Sequence, residues 1–246
     1  MSSLYLREDL ADAAVGERLS ITGSEAKHAA TVNRTRPGQT VMIGNGRGLV
    51  ASGEVVEATN TALTIDVADV QRVERHAPAI TLVQALAKGD RDELAIQATT
   101  ELGVDAVVPW AASRSVSRWE GQKVAKGRER WATIVREAAK QSIRAWVPAV
   151  GELATTTQVA ALCADARVLV LEPDAEAKLT DAVREAALDG RALVLVVGPE
   201  GGIAPSELEA FRDAGAELVR LGATVLRTST AGPAALAVLN ASIGRW

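Results

Sequence analysis

Two glycine-containing segments near the C-terminus have the residue types and spacing most typical of a ligand site. Residues Val197–Ile203 have the sequence V-G-P-E-G-G-I, and residues Leu221–Gly232 have the sequence L-G-A-T-V-L-R-T-S-T-A-G. Three glycines within five residues of the first segment allow a ligand to approach the backbone closely. Neither segment has the spacing of a Walker A loop or of a G-x-G-x-x-G fingerprint, so the common ATP and NAD sites are disfavoured. The two segments instead predict a polar small molecule held mainly by main-chain atoms.

Acid–base side chains are scarce in both segments. Glu200 and Arg227 are the charged residues there, and the two histidines, His28 and His76, lie far away in the sequence. This arrangement disfavours a Ser-His-Asp hydrolase. The single cysteine, Cys163, excludes an internal disulfide and a cysteine-based zinc site, and no metal site is predicted. Each charged residue also has a structural interpretation, since Glu200 could anchor a helix N-terminus and Arg227 could bond loop carbonyls.

Alternating apolar strands and amphipathic helices predict the scaffold that positions these segments. Strands are expected at residues 80–87, 104–109, 168–171, 193–197 and 218–221. Each is followed by a helical pattern, which predicts an α/β domain with a mainly parallel sheet. Ligands in such sheets bind outside the carboxyl ends of the strands. The loop Leu171–Pro173 after the third strand should therefore lie beside the two glycine segments.

Local patterns predict where several of the helices begin and end. Asp90 and Glu93 have capping-box spacing at the start of a helix that Gly103 ends. A helix over residues 123–146 would carry Ile143 on its apolar face. Further helices are expected at residues 179–187, 205–214 and 231–243.

Residues 1–74 predict a separate β-rich domain. Short runs with β-branched residues are typical of strands and occur at residues 40–43, 51–56 and 62–67. Asn45-Gly46 between the first two runs predicts a hairpin turn. Ser24 is expected to cap a short helix. The charged stretch 72–78 ends in proline and predicts a linker to the second domain.

The net charge of −4 argues against a nucleic-acid partner, but the charge distribution leaves such a partner open. Residues 111–144 contain nine basic and three acidic side chains, a local balance of +6. Such a segment attracts a polyanion even in an acidic chain, whereas the alternative is a solvated helix face. The sequence shows no basic-then-apolar leader and no apolar run of about 18 residues, so neither export nor a membrane span is predicted. A cytoplasmic location is expected.

On these motifs, the sequence resembles the RsmE family, the 16S rRNA (uracil-N3)-methyltransferases of the SPOUT superfamily. The resemblance rests first on Val196–Gly202 and on Leu221–Ala231, which contain the family's G-P-E-G-G and V-L-R-T-x-T-A patterns. The segment Glu137–Arg144 is similar to the family's E-A-x-x-Q-S-x-R motif, and His28–Gly38 is similar to its H-x-x-x-V-x-R-x-x-x-G element. Four motifs in the same order over most of the chain make the resemblance specific.

The resemblance implies an α/β fold with a C-terminal SPOUT-type parallel sheet, a deep trefoil knot and an N-terminal PUA-like β-barrel. Residues 1–74 would form the PUA-like RNA-binding domain and residues 75–246 the methyltransferase domain. The knot would form by threading Leu221–Ala231 under the loop near Gly198. S-adenosyl-L-methionine (SAM) would bind in the knot, and two chains would pair as a homodimer to complete each site. Apolar material for that interface is available in Trp119, Trp131 and Trp146.

The resemblance and the ligand loops together assign roles to individual residues. A uracil N3-methyltransferase needs a base or an electrostatic sink for the uracil anion. Glu200 is predicted as that base and Arg227 as the group that stabilises the anion or holds a phosphate. The cofactor-binding residues would be Leu171, Glu172, Val197, Gly198, Pro199, Glu200, Gly201, Leu221, Gly222, Val225, Leu226 and Thr228. The residues binding 16S rRNA of the 30S subunit would be His28, Arg34, Arg36, Arg114, Arg118, Gln141 and Arg144.

Two positions depart from the family's pattern. The family often has glutamate where Ser229 stands, and it often has glycine where Ile143 precedes Arg144. Ser229 supplies no carboxylate for catalysis, and Ile143 is expected to alter the packing of its helix. Two alternatives stay open: a SPOUT enzyme with another target, such as the 2′-oxygen of a tRNA ribose, and an RNA-binding ribosome-assembly factor without catalysis.

Overall fold

A computed structural model describes residues 3–246, with side chains for all of them except residues 185–189. The chain forms two compact units. The first comprises the described residues up to Arg75 together with Ala139–Val147, and the second comprises His76–Ala138 and Pro148–Trp246. The sequence placed residues 139–147 in the second domain, whereas in the structure this segment packs with the first unit.

The first unit is a curled, mixed β-sheet with one helix. Its strands are β1 (Leu4–Leu6), β2 (Arg18–Thr22), β3 (Thr40–Gly44), β4 (Leu49–Ala58) and β5 (Ala62–Arg72), and its helix is α1 (Gly23–Thr31). The strand order is β1-β3-β4-β5-β2, with β1 parallel to β3 and the other neighbours antiparallel. Within residues 3–246, the edge strands β1 and β2 do not pair with each other. The predicted PUA-like barrel is therefore a half-barrel.

The turn between β3 and β4 confirms the predicted hairpin. The Asn45 side-chain oxygen accepts hydrogen bonds from the backbone amides of Arg47 at 2.7 Å and Leu49 at 3.1 Å. Gly46 follows with a φ of 68°, a conformation that favours glycine. The predicted cap at Ser24 is wrong, because α1 already begins at Gly23 and has no side-chain cap.

The second unit is built on a seven-stranded sheet in which all neighbours are parallel. Its strands are β6 (Ile80–Ala85), β7 (Ala106–Trp110), β8 (Ala149–Val150), β9 (Ala166–Leu171), β10 (Ala177–Lys178), β11 (Ala192–Val197) and β12 (Glu217–Arg220). The strand order is β10-β12-β9-β11-β6-β7-β8. The central strand β11 is buried along most of its length, as its continuous apolar sequence predicts. The predicted α/β class with a parallel sheet is confirmed.

The helices of the second unit follow the strands. They are α2 (Arg91–Glu101), α3 (Gln122–Gln141), α4 (Thr156–Ala161), α5 (Leu179–Asp189), α6 (Pro205–Asp213) and α7 (Thr228–Ser242). Helix α7 packs against α2, α5 and β11. Gly232 lets α7 lie close to the sheet, because a Cβ atom at this position would lie only 3.3 Å from the side chain of Leu82 on β6.

Two predicted helix features are wrong. Asp90 lies before α2 with a φ of 58° and makes no side-chain cap, so the capping box with Glu93 does not form. Helix α3 ends at Gln141, and Ile143 beyond it has a φ of 54° and is 44% exposed. The left-handed conformation at Ile143 gives a physical reason for glycine at this position in the family.

The three tryptophans predicted as interface material are used within the chain. Trp131 is 1% exposed, and its ring meets that of Trp119 edge-to-face with centroids 5.3 Å apart. Trp146 donates from Nε1 to the carbonyl oxygen of Val73 at 2.8 Å, and the Arg75 guanidinium lies 4.3 Å from its ring centroid. These contacts do not support their predicted role in an interface, and the homodimer itself stays a prediction.

Candidate active site

A cavity of about 420 Å³ lies where the loops after β9, β11 and β12 meet. That volume lies within the range of small-molecule binding sites. The predicted cofactor-binding residues that line it are Leu171, Glu172, Val197, Gly198, Pro199, Glu200, Leu221, Gly222, Val225, Leu226 and Thr228. The structure therefore brings together three loops that are far apart in the sequence, as the parallel sheet predicts.

The lining differs from the predicted set at a few positions. Gly202 lines the cavity and Gly201 does not; Gly201 packs against Arg114. The sequence interpretation also missed residues that supply charge and hydrogen-bonding groups to the wall: Arg91, Arg220 and Thr224. Arg91 beside a predicted helix start and Arg220 at a predicted strand end could have been indicated by their positions, and Thr224 lies within the second glycine segment.

The first glycine segment makes a tight turn after β11. The amide of Gly202 donates to the carbonyl oxygen of Pro199 at 2.9 Å, and Gly202 has a φ of 72°. A Cβ atom at Gly198 would lie 2.6 Å from Cγ1 of Ile203, which is too close for any side chain. Glycine at both positions is therefore required by the turn.

A buried hydrogen-bond chain joins the two glycine segments. The Thr228 hydroxyl donates to the carbonyl oxygen of Gly198 at 2.9 Å, and it accepts from Gln84 Nε2 at 2.8 Å. Gln84 is fully buried on β6, and its Oε1 has no hydrogen-bond partner among the described residues. Sequence reasoning missed Gln84, although an amide side chain within the largely apolar run of β6 was a visible signal.

Glu200 is held by two partners, one in the loop between β6 and α2 and one at the first residue of α2. Its Oε1 accepts from the backbone amide of Lys88 at 3.0 Å and from Arg91 Nη1 at 2.9 Å. Burial raises the pKa of the Glu200 carboxyl, but hydrogen bonds from its own amide, from Lys88 and from Arg91 outweigh this effect and lower the pKa below its ordinary value. The carboxylate thus anchors the first glycine segment to the β6–α2 loop, and its role as a base stays a prediction.

Arg227 is exposed and lines the cavity directly before α7. Its backbone carbonyl accepts hydrogen bonds from the hydroxyl of Thr230 at 3.1 Å and from the amide of Thr230 at 2.8 Å. The guanidinium makes no hydrogen bond within the described part of the chain. The structural alternative, in which the side chain bonds loop carbonyls, is therefore not observed, and the cation is available to a ligand.

Glu207, which the sequence interpretation did not single out, fixes the loop after β7 beside the first glycine segment. Its carboxylate accepts from Ser113 N at 2.9 Å, from Ser113 Oγ at 3.0 Å, from Thr156 Oγ1 at 2.8 Å and from Ala204 N at 3.1 Å. Burial raises the pKa of Glu207, but these hydrogen bonds together lower it below its ordinary value. The neighbouring Arg114 donates to the carbonyl oxygens of Gly201 at 3.2 Å and Ile203 at 3.4 Å.

The basic segment 111–144 is less positive in the structure than in the sequence. Among the described residues, acids from elsewhere in the chain pair with at least three of its cations and reduce its local positive charge. These pairs are Arg128–Glu152 at 2.5 Å, Arg130–Glu93 at 2.8 Å and Lys140–Glu25 at 3.0 Å. Among the predicted RNA-binding residues, Arg114 and Arg118 are exposed in the second unit.

The other predicted RNA-binding residues lie in the first unit. Arg34, Arg36 and Gln141 are exposed, whereas His28 and Arg144 are half-buried. Arg34 has a φ of 52° in the turn after α1.

In the described part of the chain, no group of three or more His, Cys, Asp or Glu residues could hold a metal ion. None of its helices combines the length and the apolar character needed to cross a bilayer.

Comparisons with known proteins agree with this architecture. Residues 74–240 match a family model described as an RNA methyltransferase domain, and residues 21–68 match one described as an RNA methyltransferase PUA domain. The chain is 45% identical over 231 residues to the ribosomal RNA small subunit methyltransferase E of Mycobacterium bovis, covering 92% of this chain and 87% of the relative. It is 32% identical over 227 residues to the protein of the same name from Bacillus subtilis, covering 90% of this chain and 89% of the relative.

A solved structure shares the fold of the whole chain. The crystal structure of a ribosomal RNA small subunit methyltransferase E from Neisseria gonorrhoeae, bound to S-adenosyl methionine, superposes with a TM-score of 0.86. That protein is 26% identical in sequence, and the match covers 98% of each chain.

Proposed function

This chain belongs to the ribosomal RNA small subunit methyltransferase E family, and from that premise we propose that it methylates N3 of a uridine in 16S rRNA with SAM as the methyl donor. The observation that carries the proposal is the cavity of about 420 Å³ where three loops meet at the carboxyl ends of parallel strands. The SAM-bound relative of the same fold and the identity to the curated relatives support it.

The lining of the cavity fits SAM. Val225, Leu226 and Leu171 supply apolar surface for an adenine ring, while Gly198 and Gly222 leave backbone groups accessible for its polar atoms. Glu172 is available to the ribose hydroxyls or the amino group. SAM supplies an electrophilic methyl group, and the chain's own residues bind and orient the two reactants.

The trefoil knot and the homodimer are part of this proposal. The buried Gln84–Thr228–Gly198 chain supports a knot, because it holds the first residue of α7, where the segment Leu221–Ala231 enters the helix, against the end of β11. Val225 is 77% exposed and Leu226 is 38% exposed, which is unusual for apolar side chains in a cofactor loop. A second chain that covers them would complete the site.

Arg227 is proposed to stabilise the negative charge that uracil acquires when its N3–H proton leaves, or to hold a neighbouring phosphate. Its free guanidinium at the rim of the cavity supports this role. Glu200 was the predicted base, but its two hydrogen bonds and lowered pKa favour the anchoring role instead.

RNA would be held by the exposed cations of both units, Arg34, Arg36, Arg114 and Arg118, with residues 1–74 acting as the RNA-binding domain. A ribosomal substrate would place the chain in the cytoplasm. The test is incubation with labelled SAM and, in parallel reactions, 30S subunits that lack the modification or unmodified tRNA, followed by mapping of the methylated nucleotide. Methyl transfer to a tRNA ribose would favour another SPOUT target, and SAM binding without transfer would favour an assembly factor.

A further inference from the structure

A second cavity, of about 340 Å³, lies in the second unit beside the start of α2. Lys88, Asp90 and Arg130 supply charge to its wall, and Ser117 and Trp119 supply a hydroxyl and an indole. Its volume suits a ring-sized ligand. None of the residues predicted from the sequence to bind cofactor or RNA lines this cavity.

The second cavity and the first, which is the proposed cofactor cavity, are lined by neighbouring residues of one stretch of chain. Asp90 lines the second cavity, and the next residue, Arg91, lines the first. The walls of the two cavities therefore contain consecutive residues of the same stretch of chain. Lys88 also lines the second cavity, while its amide donates to Glu200 on the wall of the first.

The loop that supplies Ser117 and Trp119 to the second cavity is hydrogen-bonded to the first glycine segment through Arg114. Ser117 and Trp119 belong to the loop between β7 and α3, which also carries Arg114. Arg114 donates to the carbonyl oxygens of Gly201 and Ile203. Lys88 on the wall of the second cavity and Arg114 in the loop that carries Ser117 and Trp119 are therefore both hydrogen-bonded to the first glycine segment. A ligand in the second cavity would thus be positioned relative to the cofactor.

Three acidic residues line the second cavity, and their hydrogen bonding distinguishes them. Asp92 accepts from the amides of Ala87 at 3.1 Å and Glu93 at 2.9 Å, and Glu93 is paired with Arg130. The Asp90 carboxylate accepts no hydrogen bond from any residue that the structure describes. Asp90 also has a φ of 58°, a left-handed conformation that costs energy for a non-glycine residue. Its side chain does not cap the N-terminus of α2, so capping does not explain this conformation.

The groups around Asp90 match the edge of a uracil ring. Uracil presents two carbonyl oxygens that flank one N3–H donor, so it needs two donors and one acceptor. Lys88 and Ser117 are donors, and Asp90 is an acceptor that has no hydrogen-bond partner among the described residues, although it interacts electrostatically with Arg130 on the same wall. Trp119 adds an aromatic surface of the kind that proteins use against unstacked bases.

We propose that the second cavity receives the uracil ring of the target nucleotide and that Asp90 accepts its N3 proton; this inference rests on the proposed function. With uracil there, Arg227 on the wall of the first cavity takes the second of its two proposed roles and holds a neighbouring phosphate. The N3–H bond breaks, the proton passes to the Asp90 carboxylate, and the electron pair stays on N3. N3 then forms a bond to the methyl carbon of SAM, and the broken C–S bond leaves its pair on sulfur, giving S-adenosylhomocysteine. Asp90 returns the proton to water.

The first test is the Asp90→Asn variant. Asparagine tolerates the left-handed conformation as aspartate does, so the loop is expected to keep its structure. Methyl transfer to 30S subunits should fall by about a hundredfold, the typical contribution of a general base, while calorimetry shows unchanged SAM affinity. The matched control is Asp213→Asn, at the exposed end of α6 and outside both cavities, which should behave as wild type.

A second substrate separates a base from a structural residue. In 30S subunits that carry 5-fluorouridine, the fluorine makes N3–H more acidic, so a base matters less. The deficit of Asp90→Asn should then shrink by about tenfold, because general-base effects depend on substrate acidity. A deficit that is equal on both substrates would overturn the role of Asp90 as the base.

A binding measurement tests the cavity independently of turnover. Uridine 5′-monophosphate should quench tryptophan fluorescence of the wild-type chain, and Trp119→Leu should abolish that quenching. Normal turnover of Asp90→Asn would overturn the inference while leaving the proposed function intact. If the wild-type chain forms no N3-methyluridine on 30S subunits, the proposed function fails, and the role of Asp90 fails with it.

Discussion

The Thr228 hydroxyl donates a hydrogen bond of 2.9 Å to the carbonyl oxygen of Gly198, a residue 30 positions earlier in the chain. This bond fixes the first turn of α7 to the end of the central strand β11. Both glycine segments are thereby held around one cavity. The proposed cofactor site thus depends on a contact between two segments that are distant in the sequence, not on a single sequence motif.

Thr228→Val tests this contact. Valine has a similar shape but leaves the Gly198 carbonyl and the Gln84 amide without their buried partner. The free energy of unfolding should fall by about 1–3 kcal/mol, the cost of unsatisfied buried groups. SAM affinity measured by calorimetry should fall with it. Thr230→Val is the control, because that exposed hydroxyl bonds only to the nearby Arg227 carbonyl; an equal loss in both variants would refute the account.

Glu200→Gln distinguishes an anchor from a base. Glutamine keeps an oxygen for the Lys88 amide but loses the ion pair with Arg91. If Glu200 is an anchor, the variant should bind SAM more weakly. Its turnover at saturating SAM should fall by less than about tenfold, which is below the usual contribution of a base. Turnover reduced by about a hundredfold with unchanged SAM affinity would restore Glu200 as the base.

The stability of the second unit should decrease in acid because of Glu207. Its pKa is lower in the folded chain than the ordinary value of 4.5. Glu207 therefore stabilises the fold fully above pH 4.5, and this contribution is lost as the pH falls through the folded-state pKa. Glu207→Gln should lower the free energy of unfolding at pH 7 by about 1–3 kcal/mol and should make its decrease with acid less steep. Urea titrations across this pH range measure both effects.

Glu209→Gln is the matched control for Glu207, since Glu209 is an exposed glutamate on the same helix. It should leave both the stability at pH 7 and its pH dependence unchanged. Parallel behaviour of the two variants would contradict the assignment of the acid sensitivity to the Glu207 carboxylate.

Ile143→Gly should stabilise the chain. Ile143 has a φ of 54° and is 44% exposed, so its side chain adds strain and little packing. A left-handed conformation costs a non-glycine residue about 1–2 kcal/mol, and part of this gain is offset by the greater freedom of glycine when unfolded. The melting temperature should rise. Ala132→Gly, at an exposed position inside α3, should lower it by the usual helix cost of glycine.

The sequence predicted the parts of the structure that depend on neighbours in the chain. The spacing of apolar residues and the length of the apolar runs predicted the parallel sheet. The parallel sheet in turn implied that the loops at Leu171, Gly198 and Leu221 converge. The incorrect predictions involved interactions between distant residues. Glu93 was expected to cap α2 but instead pairs with Arg130 on α3, and no local pattern shows such a partner.

The prediction of a basic surface from the charge pattern was partly incorrect for the same reason. Lys140 was counted as part of a basic surface, but it is buried and paired with Glu25 from α1. Gln84 and Asp90 gave weak signals in the sequence, a polar residue within an apolar strand and a carboxylate beside a helix. Their importance depends on what lies opposite them, which the fold alone determines.

The most direct test of the account is the position of the transferred methyl group. Purified chain is incubated with labelled SAM and 30S subunits that lack the modification, and the RNA is digested and analysed by mass spectrometry. The account predicts label in N3-methyluridine at a single position of 16S rRNA. Label on a ribose 2′-oxygen, label on another base, or SAM binding without any transfer would contradict it.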